Sequence, residues 1–275
     1  GDPSPLSEVL DHATIAVAMT EFSPTAPLVA WARAHDDFRA ATLPGVARRT
    51  EATALSADYT EVARRCAVLR GLLERADSAD VAFTTGHNWH VDLRYHFAHM
   101  DDGQLPRGKP DPVINLPSGE SFQVPYEGER KGDPSKTSGE VPVQIEDSVV
   151  VYIVEKNRIV DVVGRKGADR ARAYFRCDAA RGNIAEFAFG CNPEAVVWGN
   201  VLEDEKAGFH WAYGRSEHLG GSIGPSEFES SETIVHQDFV YARDSPIQVR
   251  SAVLNSIDGG QVEVIRDGNY LVFQE

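Results

Sequence analysis

The chain has 275 residues, enough for one large domain or two ordinary ones. Its apolar fraction of 42% and charged fraction of 25% are those of a globular protein whose core needs neither disulfides nor a structural metal. With 27 basic side chains against 42 acidic ones the formal charge is −15, which speaks against nucleic acid as a partner and favours pockets that attract cations.

In chain order, residues 15–18 are a short apolar strand candidate. Residues 24–35 read as a helix, because Leu28, Trp31 and Ala32 follow the i, i+3, i+4 neighbour pattern. Residues 56–76 read as the clearest helix. Asp58 and Glu61 have the spacing of a capping pair, and Val62, Cys66, Leu69 and Leu73 recur on one face. Residues 80–85 and 91–97 follow as strands, and strand, helix, strand in succession suggests an α/β layer. Residues 101–112 are polar and rich in Pro and Gly, which places a domain boundary at residue 110. The charged, Gly/Ser-rich stretch 128–139 reads as a surface loop. Strands are expected over 149–154 and, after a turn at Lys156-Asn157, over 159–163. A hairpin of 262–265 with 270–273 closes the chain around Asp267-Gly268-Asn269. The expected fold is an α/β N-terminal domain (1–110) beside a strand-rich α+β metal-binding domain (111–275), with a cleft between them.

Cys66, Cys177 and Cys191 have no framework spacing and read as free thiols in a reducing compartment. No secretory leader pattern opens the chain, and no run of about 18 apolar residues suggests a membrane span. A cytoplasmic protein without a membrane partner is expected.

Five residues carry most of the chemistry: Glu120, Glu186, His210, His236 and Asp238. Two divalent cations bring four positive charges, which three carboxylates and a bridging hydroxide cancel, and two neutral imidazoles complete the shell. His236 and Asp238 are two apart in a stretch (233–241) that reads as a strand, so they share a face opposite Gln237 and Phe239. Glu186 precedes a Gly190-Cys191-Asn192-Pro193 turn, and Glu120 follows Pro117-Ser118-Gly119. Taken singly, each has a blander reading: a lone Glu is usually solvated, and a lone His-x-Asp is more often a strand-surface pair. Imidazole and carboxylate donors suit Zn, Co, Mn and Fe equally. Asp204, Glu205 and Lys206 read either as a charged turn or as a supporting layer in which Lys206 pairs with a ligand carboxylate or orients substrate. His87, His90, His96 and His99 have tempting three-residue spacings. On a strand such residues face opposite ways, so they read as cleft-lining or surface histidines, with substrate contact as the alternative.

Residues 115–125, Asn-Leu-Pro-Ser-Gly-Glu-Ser-Phe-Gln-Val-Pro, resemble the Asn-x-Pro-Ser-Gly-Glu segment of the aminopeptidase T family, the M29-type metallopeptidases with a two-metal centre. The likeness continues in order. Residues 186–193 resemble its Glu-x-x-x-Gly-x-Asn-Pro, 199–206 its Gly-Asn-x-Leu-x-Asp-Glu-Lys, and 210–214 its His-x-Ala-x-Gly, before Gly220-Gly221 and His236-Gln237-Asp238. It is strong over residues 110–245 and weak over 10–100. The resemblance implies that Glu120, Glu186, His210, His236 and Asp238 ligate two divalent ions (Zn, Co or Mn). It also implies a short-peptide or small-molecule substrate and a homodimer. In that reading Glu120 or Glu186 shuttles the proton to the leaving amine.

One departure stands out. The family usually carries a tyrosine seven residues beyond the first histidine ligand, and here that position is Glu217, followed by His218. Either another group such as His218 makes the transition-state hydrogen bond, or the chemistry differs. The alternative is a non-haem Fe(II) dioxygenase that opens dihydroxypyridine rings, with His210, His236 and Asp238 as its triad; a one-iron site does not need Glu120 and Glu186 as well. A metal-binding homologue without turnover is the third reading.

Overall fold

The computed structural model describes residues 6–108 and 112–273, and their strands form three sheets. A three-stranded parallel sheet has the order Ile15–Thr20, Arg39–Pro44, Val113–Asn115. The helix Thr25–Ala34 is its crossover, and Leu28 and Ala32 pack with Phe38 and Ala40 on one face. The first strand and the helix of this layer are those the sequence predicts; Arg39–Pro44 and Val113–Asn115 are not, and the strands predicted over 80–85 and 91–97 belong to an eight-stranded sheet instead.

The second sheet is antiparallel and eight-stranded. Its order is Arg158–Gly164, Ser148–Glu155, Ser138–Ile145, Asn88–Asp92, Ala76–Phe83, Val249–Ser256, Gln261–Arg266 and Asn269–Tyr270. The third sheet is antiparallel and five-stranded, and its strands carry labels from here on: β1 (His99–Asp101), β2 (Glu120–Gln123), β3 (Ile184–Gly190), β4 (Phe209–Gly214) and β5 (His236–Tyr241). They lie in sequence order across the sheet.

Alternation decides what each face of the third sheet does. Its back carries Phe187, Phe189, Phe209, Trp211 and Phe239, which pack with Trp89 and Tyr152 of the eight-stranded sheet. The rings meet edge-on: Trp89 lies 5.6 Å from Trp211, and Tyr152 6.2 Å from Trp211, between centroids. Burying several rings in one slab is the main hydrophobic anchor of the fold.

The helix Tyr59–Leu73 closes one end. Val62, Cys66, Leu69 and Leu73 are fully buried, and Ser121 on β2 donates to the Cys66 carbonyl at 2.8 Å. Asp58 caps the helix by accepting from the Thr60 N–H at 2.8 Å. Glu61 does not return to the cap as expected; it pairs with Arg64 and Arg65 at 2.6 and 2.7 Å, because those cations sit one turn on.

The expected boundary at residue 110 does not separate the sheets. Val113–Asn115 completes the first sheet, while β1 and the strands Ala76–Phe83 and Asn88–Asp92 pair with strands far beyond it. In sequence the Pro/Gly-rich stretch lies between β1 and Val113–Asn115, strands of two different sheets, and such a connection has the composition of a linker. Residues 109–111 lie outside the described part. The strand expected over 91–97 runs instead over Asn88–Asp92 and ends before Tyr95, whose φ of 72° is left-handed. Of the expected loop 128–139, Ser135 and Thr137 are buried, because the Asp92 N–H donates to Thr137 Oγ1 at 2.9 Å and the Lys136 N–H to Asp92 at 3.0 Å. All three cysteines are free, and the buried pair Cys66 and Cys191 sit with their sulfurs 3.5 Å apart. Among the described residues no helix is long and apolar enough to cross a membrane.

Candidate metal centre

The front of the five-stranded sheet collects the polar side chains. Cross-strand partners point to the same side, and the register pairs Glu120 with Gly190, His210 with Ala188, Asp238 with Ala212 and His236 with Gly214. Each of these residues therefore faces a residue with almost no side chain on one side, while on the other Glu120 faces Asp101 and His210 faces Val240. These small partners leave space above the sheet, and they cannot be enlarged freely. A Cβ on Gly190 would collide with the Glu205 carbonyl, and one on Gly214 with that of Val235.

Glu120 is aimed by the turn before it. Gly119 has φ 127°, and a Cβ there would press on Asn192. Asn192 Nδ2 in turn donates to the carbonyls of Ser118 and Ala54 at 2.9 and 3.0 Å. Asn192 thus ties the Ser118–Gly119 turn to the Ala54 segment.

The five predicted residues converge. His210 Nε2 lies 3.2 Å from Glu120 Oε2 and 3.8 Å from Glu186 Oε1. His236 Nε2 lies 3.1 Å from Glu186 Oε2 and 3.5 Å from Asp238 Oδ1. The donors fall into two groups, Glu120–Glu186–His210 and Glu186–His236–Asp238, each with its ligand atoms within 4.8 Å of one another. Glu186 belongs to both. Each imidazole is oriented by its other nitrogen: His210 Nδ1 meets the Gly208 carbonyl at 3.2 Å and His236 Nδ1 the Arg215 carbonyl at 2.7 Å. That leaves Nε2 of each ring turned to the carboxylates, as metal-binding histidines require. Glu120 Oε2 and His210 Nε2 are buried without a hydrogen bond. Two such atoms facing each other at 3.2 Å are costly unless a proton or a cation lies between them, and a divalent metal fits that place.

The electrostatics are those of a cation site. Burial works to raise the Glu120 carboxyl, but Lys206 and His210 outweigh it and hold it below its ordinary value. Burial opposes ionisation of Glu186 too, and His210 and His236 overcome it. Burial disfavours the charged His236, yet Asp238 and Glu186 push it up to about 11; His210 is likewise driven upward by Glu120 and Glu186 against burial. Protons on the two imidazoles thus take the place of metal charge.

Lys206 is 1% exposed and lies 2.6 Å from Glu120 and 3.1 Å from Glu205. Burial, with Asp238 and Glu120 adding to it, pushes Glu205 up to about 8 despite the lysine. Of the two readings of Asp204, Glu205 and Lys206, a charged turn or a supporting layer, the second matches Lys206, which pairs with Glu120. The signal for Glu205 was the adjoining Lys206, since a buried lysine needs a carboxylate. Asp204 has a structural task instead, accepting from the Trp198 and Gly199 N–H groups at 2.8 and 3.0 Å.

The site opens into a cleft of about 1020 Å³, lined on one wall by Thr25, Val29 and Arg33 and on the other by Glu120, Glu186 and His236. His218 lines it, its ring edge-on to His236 with centroids 4.9 Å apart. Burial, His236 and Arg215 lower His218 to about 4. Glu217 turns outward to Arg215 at 2.7 Å. The segment carrying His218 is fixed by Glu127, a residue the sequence reading missed. Glu127 accepts from Ser216 Oγ and the Ser222 N–H at 2.5 Å and from Ser222 Oγ at 2.6 Å.

His87, His90, His96 and His99 do not gather. His87 meets Thr85 at 2.9 Å, His90 meets Asp80 at 2.8 Å, and His96 meets Glu129 at 3.1 Å. His99 lines the cleft, stacked on Phe122.

No protein-family model matches the chain, and no curated protein matches it either. Among solved structures it is similar to wild-type AmpT, an aminopeptidase T, from Thermus thermophilus. The TM-score is 0.57 over 92% of this chain and 81% of that one, at 16% identity. It is also similar to the 2,5-dihydroxypyridine dioxygenase of Pseudomonas putida KT2440. There the TM-score is 0.62 over 96% of this chain and 74% of that one, at 18% identity. Both neighbours are enzymes, and the likeness is one of fold.

Proposed function

We propose that the chain is a metal-dependent hydrolase, and within that class an aminopeptidase acting on short peptides or aminoacyl amides. One observation carries the reading: Glu186 belongs to both donor groups, so two ions held there would share a carboxylate. A pair of divalent ions, when bound, supplies Lewis-acid polarisation of a carbonyl and a more acidic water.

The chain's own residues supply the rest. The carboxylates of Glu120, Glu186 and Asp238 and the Nε2 atoms of His210 and His236 would be the donors. His218 stays neutral at pH 7 and offers a single N–H to an oxygen that gains charge. That is the task the family gives to a tyrosine, and it passes here to the residue beside Glu217. Glu205 lines the cleft and keeps its proton near neutrality, which suits it to protonate a leaving amine. The acidic site attracts a substrate's free amine.

A ring-cleaving dioxygenase needs His210, His236 and Asp238 on one ion. The two histidines belong to different donor groups, which supports the hydrolase over it. Metal-stripped protein reloaded with Zn, Co or Mn is expected to cleave aminoacyl amides. A fully loaded protein that releases nothing from a panel of amides and dipeptides removes the reading. A homodimer, the assembly that the family likeness implies, is proposed as the working form and is tested by sedimentation.

A further inference from the structure

Lys206 is a cation built into one of the two donor groups and not the other. It grips Glu120 Oε1 at 2.6 Å, while Oε2, the orphaned atom, faces His210 Nε2. A metal entering the Glu120–Glu186–His210 group therefore shares its carboxylate with an ammonium that is only 1% exposed, at the floor of the cleft. The Glu186–His236–Asp238 group has no lysine or arginine among its ion-pair contacts within the described residues, and His236 opens directly onto the cleft.

We propose that Lys206 makes the two metal positions unequal: Glu186–His236–Asp238 fills first and tightly, and Glu120–Glu186–His210 fills second and weakly. This rests on the metal-centre reading above. The second ion meets two positive charges at once, the ammonium and the first ion across the shared Glu186. At metal concentrations between the two affinities the chain carries one ion, and Lys206 remains the counter-charge of Glu120.

Lys206 has a second effect of opposite sign. By occupying Oε1 it holds Glu120 as a one-oxygen ligand, and losing such an orienting contact typically weakens metal binding about 10- to 100-fold. The repulsion is larger, because it acts on a double charge between largely buried groups, where Coulomb energy scales with the product of charges and inversely with the local dielectric. Removing the ammonium therefore tightens the second step.

The test is a calorimetric titration of the metal-free full chain with Co²⁺ chloride. Wild type should show two steps separated by roughly a hundredfold or more. His210→Ala should remove the weak step and spare the tight one, and Asp238→Asn should remove the tight step. In Lys206→Met the weak step should tighten about tenfold or more with the tight step nearly unmoved, while Lys206→Arg, which keeps the charge, should keep the gap. Two equal steps in wild type overturn the proposal, as does a weak step that Lys206→Met leaves unchanged or weakens. If Lys206→Met does not fold, loss of the tight step in His210→Ala overturns it just as directly. A wild-type chain that binds no Co²⁺ removes the metal-centre reading along with the proposal.

Discussion

Changing Glu120 to Gln in the metal-free protein strands a buried ammonium. At 2.6 Å and an effective dielectric near 20, the Lys206–Glu120 attraction is about 6 kcal/mol before desolvation. Breaking a buried pair by removing one partner costs about 3–5 kcal/mol, because the other charge is left uncompensated. Here the lower end applies. After Glu120→Gln, Lys206 keeps Glu205 at 3.1 Å, and that carboxyl ionises to replace the lost charge. After Lys206→Met, Glu120 keeps the imidazole of His210 at 3.2 Å. Each single variant is therefore expected to lose about 3 kcal/mol. The double variant Glu120→Gln/Lys206→Met puts a neutral pair in the same volume and is expected within about 1 kcal/mol of wild type. In a chain of this size each lost kcal/mol lowers Tm by about 2–4 °C. The assay is urea unfolding of the four metal-free proteins followed by circular dichroism, read as a double-mutant cycle. A double variant that loses the sum of the two singles refutes the claim that these charges are coupled.

Three further outcomes follow from the geometry. His236 is raised to about 11 and His210 is raised too, so both are charged at pH 7 in the metal-free chain; metal binding should release about two protons and weaken as pH falls, and titration in buffers of different ionisation enthalpy would expose a release of none. Asp92 resists ionisation through burial, but Arg94 at 2.8 Å and the Lys136 N–H hold its carboxyl below the ordinary aspartate value. Its contribution is present above the unfolded value and is lost as pH falls through the folded one, so Asp92→Asn should cost about 2–3 kcal/mol at pH 7 and progressively less as pH falls below about 4; a loss that does not shrink with pH would contradict the pairing. Gly190→Ala should push the Glu205–Lys206 backbone off the sheet and reduce both stability and bound metal, measured by thermal melting and metal analysis after dialysis; an alanine variant indistinguishable from wild type would show that the close approach is not needed.

The site was legible where its residues obey a period. His236 and Asp238 share a face because strands repeat every two residues, and the same rule sent Phe239 to the aromatic core with Trp211. The helix Tyr59–Leu73 was legible because its apolar stripe is pure. The helix Ala168–Cys177 escaped, since its buried face is Ala168, Ala171 and Phe175 among arginines, too small a stripe to register as a period. The strand Val249–Ser256 escaped because its inward residues include Ala252 and its partner lies over 160 residues away in sequence. Sheet membership was invisible for the same reason. A linker composition at 101–112 carries no record of which strands pair across it.

Charges were the hardest part, and the physics explains why. A sequence shows that Glu205 and Lys206 are adjacent, and adjacent charges are usually a solvated turn. Here the Glu205–Lys206 backbone passes directly over Gly190, opposite Glu120 on the same sheet face. That approach drives Lys206 into the site, where only carboxylates can stabilise it. The missing side chain at position 190 is what turns a surface charge pair into part of the centre. The departure at Glu217 has a similar origin. Glu127 pins Ser216 and Ser222, so the short turn between them presents His218 inward and leaves Glu217 to Arg215. Glu217 is therefore not the residue of this turn that faces the cleft; His218 is. A Glu217→Tyr replacement would then point its hydroxyl toward solvent beside Arg215, and it should leave the His218 titration near 4 by NMR, whereas His218→Ala should change the cleft itself.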